Sequence, residues 1–306
     1  MKGGLLDEME GNMFETAVSP YEELGAYEHL WSEGKSSFKN ISERLSKLGE
    51  ARPSELVGKS QSLATANKVH SRFKELGLSD YGIMLRGTAD YPAGLLDARY
   101  PLELLYYRGD WNLTFAPSVA IVGTRKPSKE GRLRAQRLAS ELGKASYTII
   151  SGLADGIDTE VHQTCLREGI PTVAVIGTPL AHYYPKKNRD LQDEIASKHL
   201  LISQVPLQKY EASPITYNRF FFPERNVTMS ALSRATVIVE AGETSGTLVQ
   251  ARAAFAQGRK LFILNNCFEN SSITWPKRFE DRGAIRVRES SDILKVIGHA
   301  NPSEAH

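Results

Sequence analysis

Three short turns hold the residues whose types and spacing could bind an anion. Gly123-Thr124-Arg125, Ser151-Gly152 with Gly156, and Ser245-Gly246-Thr247 each combine glycine with a hydroxyl or a cation. Each follows an apolar run, at 119–122, 147–150 and 236–240. Free backbone N–H groups in such turns, and the N-termini of the helices that follow, suit phosphate oxygens. Ser128 adds a hydroxyl where the helix after the first turn opens. None of the turns is a GxxxxGK[ST] loop, and none is a GxGxxG fingerprint followed by an acid. Glycine at a strand end also serves turn geometry alone, so the signal is that three such turns converge on one sheet edge.

Arg125, Arg219 and Arg225 are the cations best placed beside these turns, because a guanidinium meets phosphate oxygens in bidentate fashion. The competing reading pairs one of them with Asp155, Asp158 or Glu240 as a structural ion pair. Phe222, three residues after Arg219, sets an aromatic face near a cation, an arrangement on which nucleobases stack. The run Phe220-Phe221-Phe222 would equally suit a plug of core. Asp158 and His162 stand four apart on one helical face. No nucleophile accompanies them, so we expect no catalytic residue. The histidine and tyrosines at 182–184 lack the spacing of metal ligands, and neither a metal nor a cofactor is expected.

The elements that must position these residues alternate strand and helix from 119 to 297. The unbroken apolar strands predict an α/β fold: an extended Rossmann-like, doubly wound, mostly parallel sheet covered by helices on both faces. In such sheets ligands bind at the carboxyl ends of the strands. Residues 205–222, with five aromatics, read as a long loop and 224–233 as a short helix. The part before the sheet carries helical periodicity and no good strand. Leu24, Tyr27, Leu30 and Trp31 share one face, Phe38, Ile41, Leu45 and Leu48 another, and Val69, Phe73 and Leu76 a third. The expected organisation is therefore a helical N-terminal module over 1–80, a connector over 81–115 with one short strand near 104–110, and the Rossmann-like domain over 116–300. Residues 1–15 are expected to be a loosely attached end.

The chain has 306 residues and a formal net charge of only +2, so affinity for a polyanion must come from a local patch. Its two cysteines, Cys165 and Cys267, fall in or beside elements expected to be buried, and read as small core residues. No signal peptide or membrane span is evident, so a cytoplasmic protein is expected.

The same residues resemble a known family. VAIVGTRKPSKEG at 119–131, SGLADGIDTEVH at 151–162, Tyr184-Pro185, FPERN at 222–226, VIVEAGETSGTLVQA at 237–251 and GRKLFIL at 258–264 follow the order and spacing of the DNA-processing protein A family, also called DprA or Smf. The resemblance covers about residues 90–294. It implies an extended Rossmann-type domain that binds single-stranded DNA, forms a homodimer, and helps load the RecA recombinase in natural transformation, with no established enzymatic activity. Carried over by motif, the DNA pocket would use Gly123 and Arg125, Arg219 and Phe222, and the pair Arg225-Asn226, with the other glycine turns helping to hold phosphate. The sequence departs from the family where Thr124 replaces a serine and where Val227 stands in place of a second arginine.

The function expected is thus non-enzymatic binding of single-stranded DNA in DNA uptake or recombination. The alternative is a nucleotide sensor, or an enzyme similar to nucleoside-monophosphate phosphoribohydrolases, whose turn PGGxGTxxE carries a working glutamate. Here Gln250 falls at that position, and glutamine cannot act as a carboxylate base.

Overall fold

The computed structural model describes residues 18–49 and 51–300. The expectation for residues 1–15 lies outside them. Four helices come first: α1 (Pro20–Ser32), α2 (Phe38–Ser46), α3 (Pro53–Leu56) and α4 (Lys59–Glu75). Ser19 and Ser37 cap α1 and α2 by accepting first-turn N–H groups. Helices α1 and α4 approach backbone to backbone at Gly25, where an added Cβ would stand 1.8 Å from the Ser62 carbonyl oxygen. Of the three predicted apolar faces, Leu24, Tyr27, Leu30, Trp31, Ile41, Leu45, Val69 and Phe73 are buried, whereas Leu48 is exposed.

The segment expected as a connector contributes to the main sheet. It forms β1 (Gly82–Leu85) and β2 (Leu104–Gly109), which pair antiparallel with each other. Strand β2 also pairs antiparallel with β6 (Leu200–Ser203), far along the chain. The other strands are β3 (Ser118–Val122), β4 (Thr148–Ser151), β5 (Thr172–Ile176), β7 (Ala235–Ile238), β8 (Lys260–Leu264) and β9 (Ile285–Val287). From β6 to β9 all pairings are parallel. The nine-stranded order is β1-β2-β6-β5-β4-β3-β7-β8-β9. The chain reverses its winding between β3 and β7, the topological switch point where ligands of open α/β sheets bind.

Both faces of the sheet are covered. Along β3, Ala120 and Val122 join one apolar cluster while Val119 and Ile121 join the other, the period-two signature of a strand buried on both sides. The first cluster runs without a break from Leu24 and Trp31 of α1 to Val175 and Ile202 of the sheet. The helical module is therefore packed onto the sheet. A buried carboxyl fixes the junction: Glu28 Oε1 accepts from the Tyr106 hydroxyl at 2.5 Å and from the Leu207 N–H at 2.7 Å, and its Oε2 accepts from the Gln208 N–H at 3.1 Å.

The helices after β3 are α5 (Lys129–Lys144), α6 (Ile157–Glu168) and α7 (Arg189–Lys198). The expected long loop at 205–222 is mostly helical, with α8 (Leu207–Ala212) and α9 (Ile215–Asn218) each opening directly after a proline. Helix α10 (Phe221–Leu232) begins three residues earlier than expected, because Pro223 lies in its first turn, where the missing N–H costs nothing. Short helices of four and six residues leave no periodic trace, which is why an aromatic-rich loop was expected instead. Helices α11 (Thr247–Ala256), α12 (Asn265–Glu269), α13 (Trp275–Glu280) and α14 (Ser290–Ile297) complete the chain. Cys165 and Cys267 are free and buried, as their surroundings predict. No helix among the described residues is long and apolar enough to cross a membrane.

Candidate nucleic-acid interface

A cleft of about 530 Å³ opens at the β3/β7 switch point. It gathers Gly123, Thr124 and Arg125 from the first turn, Ser245, Gly246 and Thr247 from the third, and Phe222, Arg225 and Asn226 from α10. Hydrogen bonds tie these three segments together. The Thr124 N–H donates to the Glu240 carbonyl at 2.7 Å, and the Thr247 hydroxyl donates to the Gly123 carbonyl at 3.2 Å. Asn226 Nδ2 donates to the Gly246 carbonyl at 3.1 Å. The turns are thus held before any ligand arrives, which is what a preformed anion site requires.

The three arginines differ in position. Arg125 is exposed, and its guanidinium lies 5.6 Å from the centroid of the Phe222 ring and 5.9 Å from that of Tyr184. The two rings are 5.2 Å apart. This forms an open cluster of one cation and two aromatic faces at the cleft mouth. Arg225 is 4% exposed and forms part of the cleft floor. It donates to the Gly152 and Val175 carbonyls, and its Nε donates to Asn226 Oδ1 at 2.9 Å. Burial lowers its pKa to about 10, with the charge of Asp158 acting in the other direction. Arg225 therefore stays positive at neutral pH, a fixed charge beneath the turns. Arg219 is exposed and lies outside the cleft.

The second glycine turn contributes as support. The Ser151 hydroxyl donates to the Ile121 carbonyl at 2.7 Å within the sheet, and Gly152 offers its carbonyl to Arg225. Gly156 has φ +79°, and a Cβ there would meet the Thr124 carbonyl oxygen at 2.5 Å. It lets the first turn pack closely against α6. Ser128 caps α5 and is engaged by Glu240: its N–H and hydroxyl donate to that carboxylate at 3.1 and 2.7 Å. The N-terminus of α5 thus already carries an anion, and Ser128 lies outside the cleft. Glu240 therefore pairs with the helix end and with none of the three arginines.

Asp158 and His162 share α6 but do not form a pair. Asp158 lines the cleft and accepts from the Ala154 N–H at 3.3 Å. Burial raises its pKa, and the Arg225 charge opposes that shift. His162 is wholly buried, with Nδ1 2.9 Å from the Thr172 hydroxyl, and burial lowers its pKa to about 3. It is a neutral core histidine. Gln250 is also fully buried, donating to the Thr236 hydroxyl at 3.3 Å. No cluster of three or more His, Cys, Asp or Glu residues is placed to hold a metal among the described residues.

Two contributors were not singled out as site residues in the sequence. Tyr184, 49% exposed, completes the cluster around Arg125. Gly177 lies at the end of β5, where a Cβ would stand 2.6 Å from Phe222 Cδ1. Its lack of a side chain is what seats the Phe222 ring. The proline after Tyr184 and the glycine directly after an apolar strand were the available signals.

Comparison with known proteins bears on the family and the fold. Residues 82–298 match the family described as DNA recombination-mediator protein A. The chain is 39% identical to protein Smf of Synechocystis over 213 residues, 68% of this chain and 52% of that protein, so it spans about half the length of that relative. It is 34% identical to DNA processing protein DprA of Streptococcus pneumoniae over 67% of this chain and 70% of that one. Among solved structures, DprA from Streptococcus pneumoniae superposes with a TM-score of 0.71 at 26% identity, covering 91% of this chain and 98% of that one. DNA processing protein A from Helicobacter pylori, described for its single-stranded DNA binding mode, superposes with a TM-score of 0.61 at 28% identity, covering 71% of this chain and 95% of that one. By fold, by motif order and by this match over most of its sheet domain, the chain belongs to the DNA recombination-mediator protein A family.

Proposed function

We propose that this chain is a non-enzymatic single-stranded DNA-binding protein acting in DNA uptake or recombination. The observation that carries the reading is the Arg125 cluster. An exposed guanidinium between the Phe222 and Tyr184 rings, above turns rich in glycine and hydroxyls, offers a phosphate a cation and a base a stacking face. Arg225, buried below, supplies a second positive charge that needs no side-chain ordering on binding. The single-stranded DNA binding mode of the Helicobacter pylori relative supports the same ligand class. Homodimer formation and loading of a RecA-type recombinase are proposed further steps, taken from the family resemblance, and action in the cytoplasm is proposed with them. The enzyme alternative is weakened by Gln250, which is buried and bonded to Thr236 where a working carboxylate would be needed.

The test is fluorescence anisotropy of a labelled single-stranded oligonucleotide with wild type and Arg125→Glu. Arg125 is exposed and makes no hydrogen bond or ion pair among the described residues, so the variant should fold normally. The expected result is a loss of affinity of at least about tenfold, as removing and reversing one phosphate contact implies. Unchanged affinity in a folded Arg125→Glu protein would overturn the assignment of this cleft.

A further inference from the structure

A second hollow adjoins the cleft at Arg125. Pro223 lines both, and the second measures about 520 Å³. One wall comes from the turn before α2 and from its first residues, with Lys35, Phe38 and Lys39. The other comes from Lys209 of α8, Tyr217 of α9 and Phe220. This hollow is where the helical module meets the segment that also carries Phe222.

Its chemistry repeats that of the first cleft. Phe220 is 69% exposed, while its neighbour Phe221 is 3% exposed and packs 5.9 Å from Trp31 and 6.1 Å from Phe38. The buried ring anchors the segment and so holds the exposed one in a defined place. Tyr217 lies 6.1 Å from Phe220, and the Lys209 ammonium sits 5.2 Å above the Tyr217 ring. The Tyr217 hydroxyl donates to the Ser36 carbonyl at 3.1 Å, which ties this wall to the module. Three lysines, Lys35, Lys39 and Lys209, line the hollow with one carboxylate, Glu224, and Lys39 also pairs with Glu43 at 3.8 Å. Aromatic faces interleaved with cations suit a strand of stacked bases and spaced phosphates.

We infer that a single strand held at the Arg125 cleft continues across Pro223 and stacks a base on Phe220, with Lys35, Lys39 and Lys209 facing its backbone. This inference rests on the single-strand reading of the first cleft. It gives the helical module a direct part in binding, since Lys35 and Lys39 belong to it. The occupant is nucleic acid because lysines line this hollow beside exposed aromatic faces and because the two hollows share Pro223.

The experiment measures binding of a thymidine oligonucleotide of about twenty residues, longer than one site of about 4–16 nucleotides. It compares wild type, Arg125→Glu, and the double variant Phe220→Ala with Lys39→Glu. It also maps the adduct formed by a photoreactive 4-thiothymidine version of the same strand. Both positions in the double variant are exposed, so the core is left intact. The expected result is a loss of at least about fivefold in the double variant, recovery with Phe220→Trp in place of alanine, and an adduct within residues 209–220. Full affinity in the double variant while Arg125→Glu is weak would overturn this inference and leave the first cleft standing. Weakening without an adduct in that segment would also overturn it. Failure of wild type to bind the strand at all would overturn the reading of the first cleft, and this inference with it.

Discussion

Substitution of Glu28 by glutamine tests how the helical module is fastened to the sheet. Glu28 is fully buried, and its carboxyl accepts from Tyr106, Leu207 and Gln208. Burial raises its pKa from 4.5 to about 7 against the effect of those three donors, with the charge of Glu211 adding to the rise. In the unfolded chain the carboxyl ionises near its usual value. Between those two values the folded state holds a proton that the unfolded state has lost, so stability must fall as pH rises through this window. Each tenfold step in acidity corresponds to about 1.4 kcal/mol, so the interval amounts to about 3 kcal/mol. Glutamine keeps the shape and removes the charge, at the loss of one of three acceptor roles, about 1 kcal/mol. The assay is urea unfolding of wild type and Glu28→Gln at several pH values. The stability advantage of wild type should shrink by about 3 kcal/mol between pH 4.5 and 7.5, and the glutamine variant should equal or exceed wild type at the upper end. A difference that stays flat across this range, or grows with pH, would refute the reasoning.

Two further outcomes follow from close backbone approaches. Gly177→Ala should displace the Phe222 ring, since the new Cβ would stand 2.6 Å from Cδ1. Affinity for single-stranded DNA should then fall by about fivefold, a stacking loss of about 1 kcal/mol, with the circular dichroism spectrum unchanged. Gly25→Ala should force α1 away from α4, because the new Cβ would stand 1.8 Å from a backbone carbonyl that cannot yield. Thermal unfolding should report a loss of about 1–3 kcal/mol or more.

The sheet domain was largely legible in the sequence because its strands are unbroken apolar runs with a turn at each end. Strands β3, β4 and β7 lie within two residues of the apolar runs at 119–122, 147–150 and 236–240. Other features depend on contacts between distant segments. The pairing of β2 with β6 joins residues nearly a hundred positions apart, and no local pattern announces it. The site was legible as a set of residue types and less so as roles. Gly123, Thr124, Arg125, Phe222, Arg225, Asn226, Ser245, Gly246 and Thr247 converge on the cleft, while Ser128, Ser151, Gly152, Gly156 and Arg219 do not line it. Ser128 looks like a phosphate ligand until the Glu240 carboxylate, brought in from the turn after β7, is seen to occupy that helix end. Arg225 and Arg125 are equivalent as letters. One is turned inward by α10 onto two carbonyls, and the other is left on the surface between two rings.

The central claim is that the Arg125 cleft takes the phosphates and bases of a single strand. The most direct measurement is the affinity of the wild-type protein for a single-stranded oligonucleotide and for its duplex across a range of salt. The account predicts tighter binding of the single strand, with log affinity falling by about 0.7 per log unit of salt for each phosphate neutralised. Equal affinity for the duplex, or single-strand binding that does not respond to salt, would contradict it.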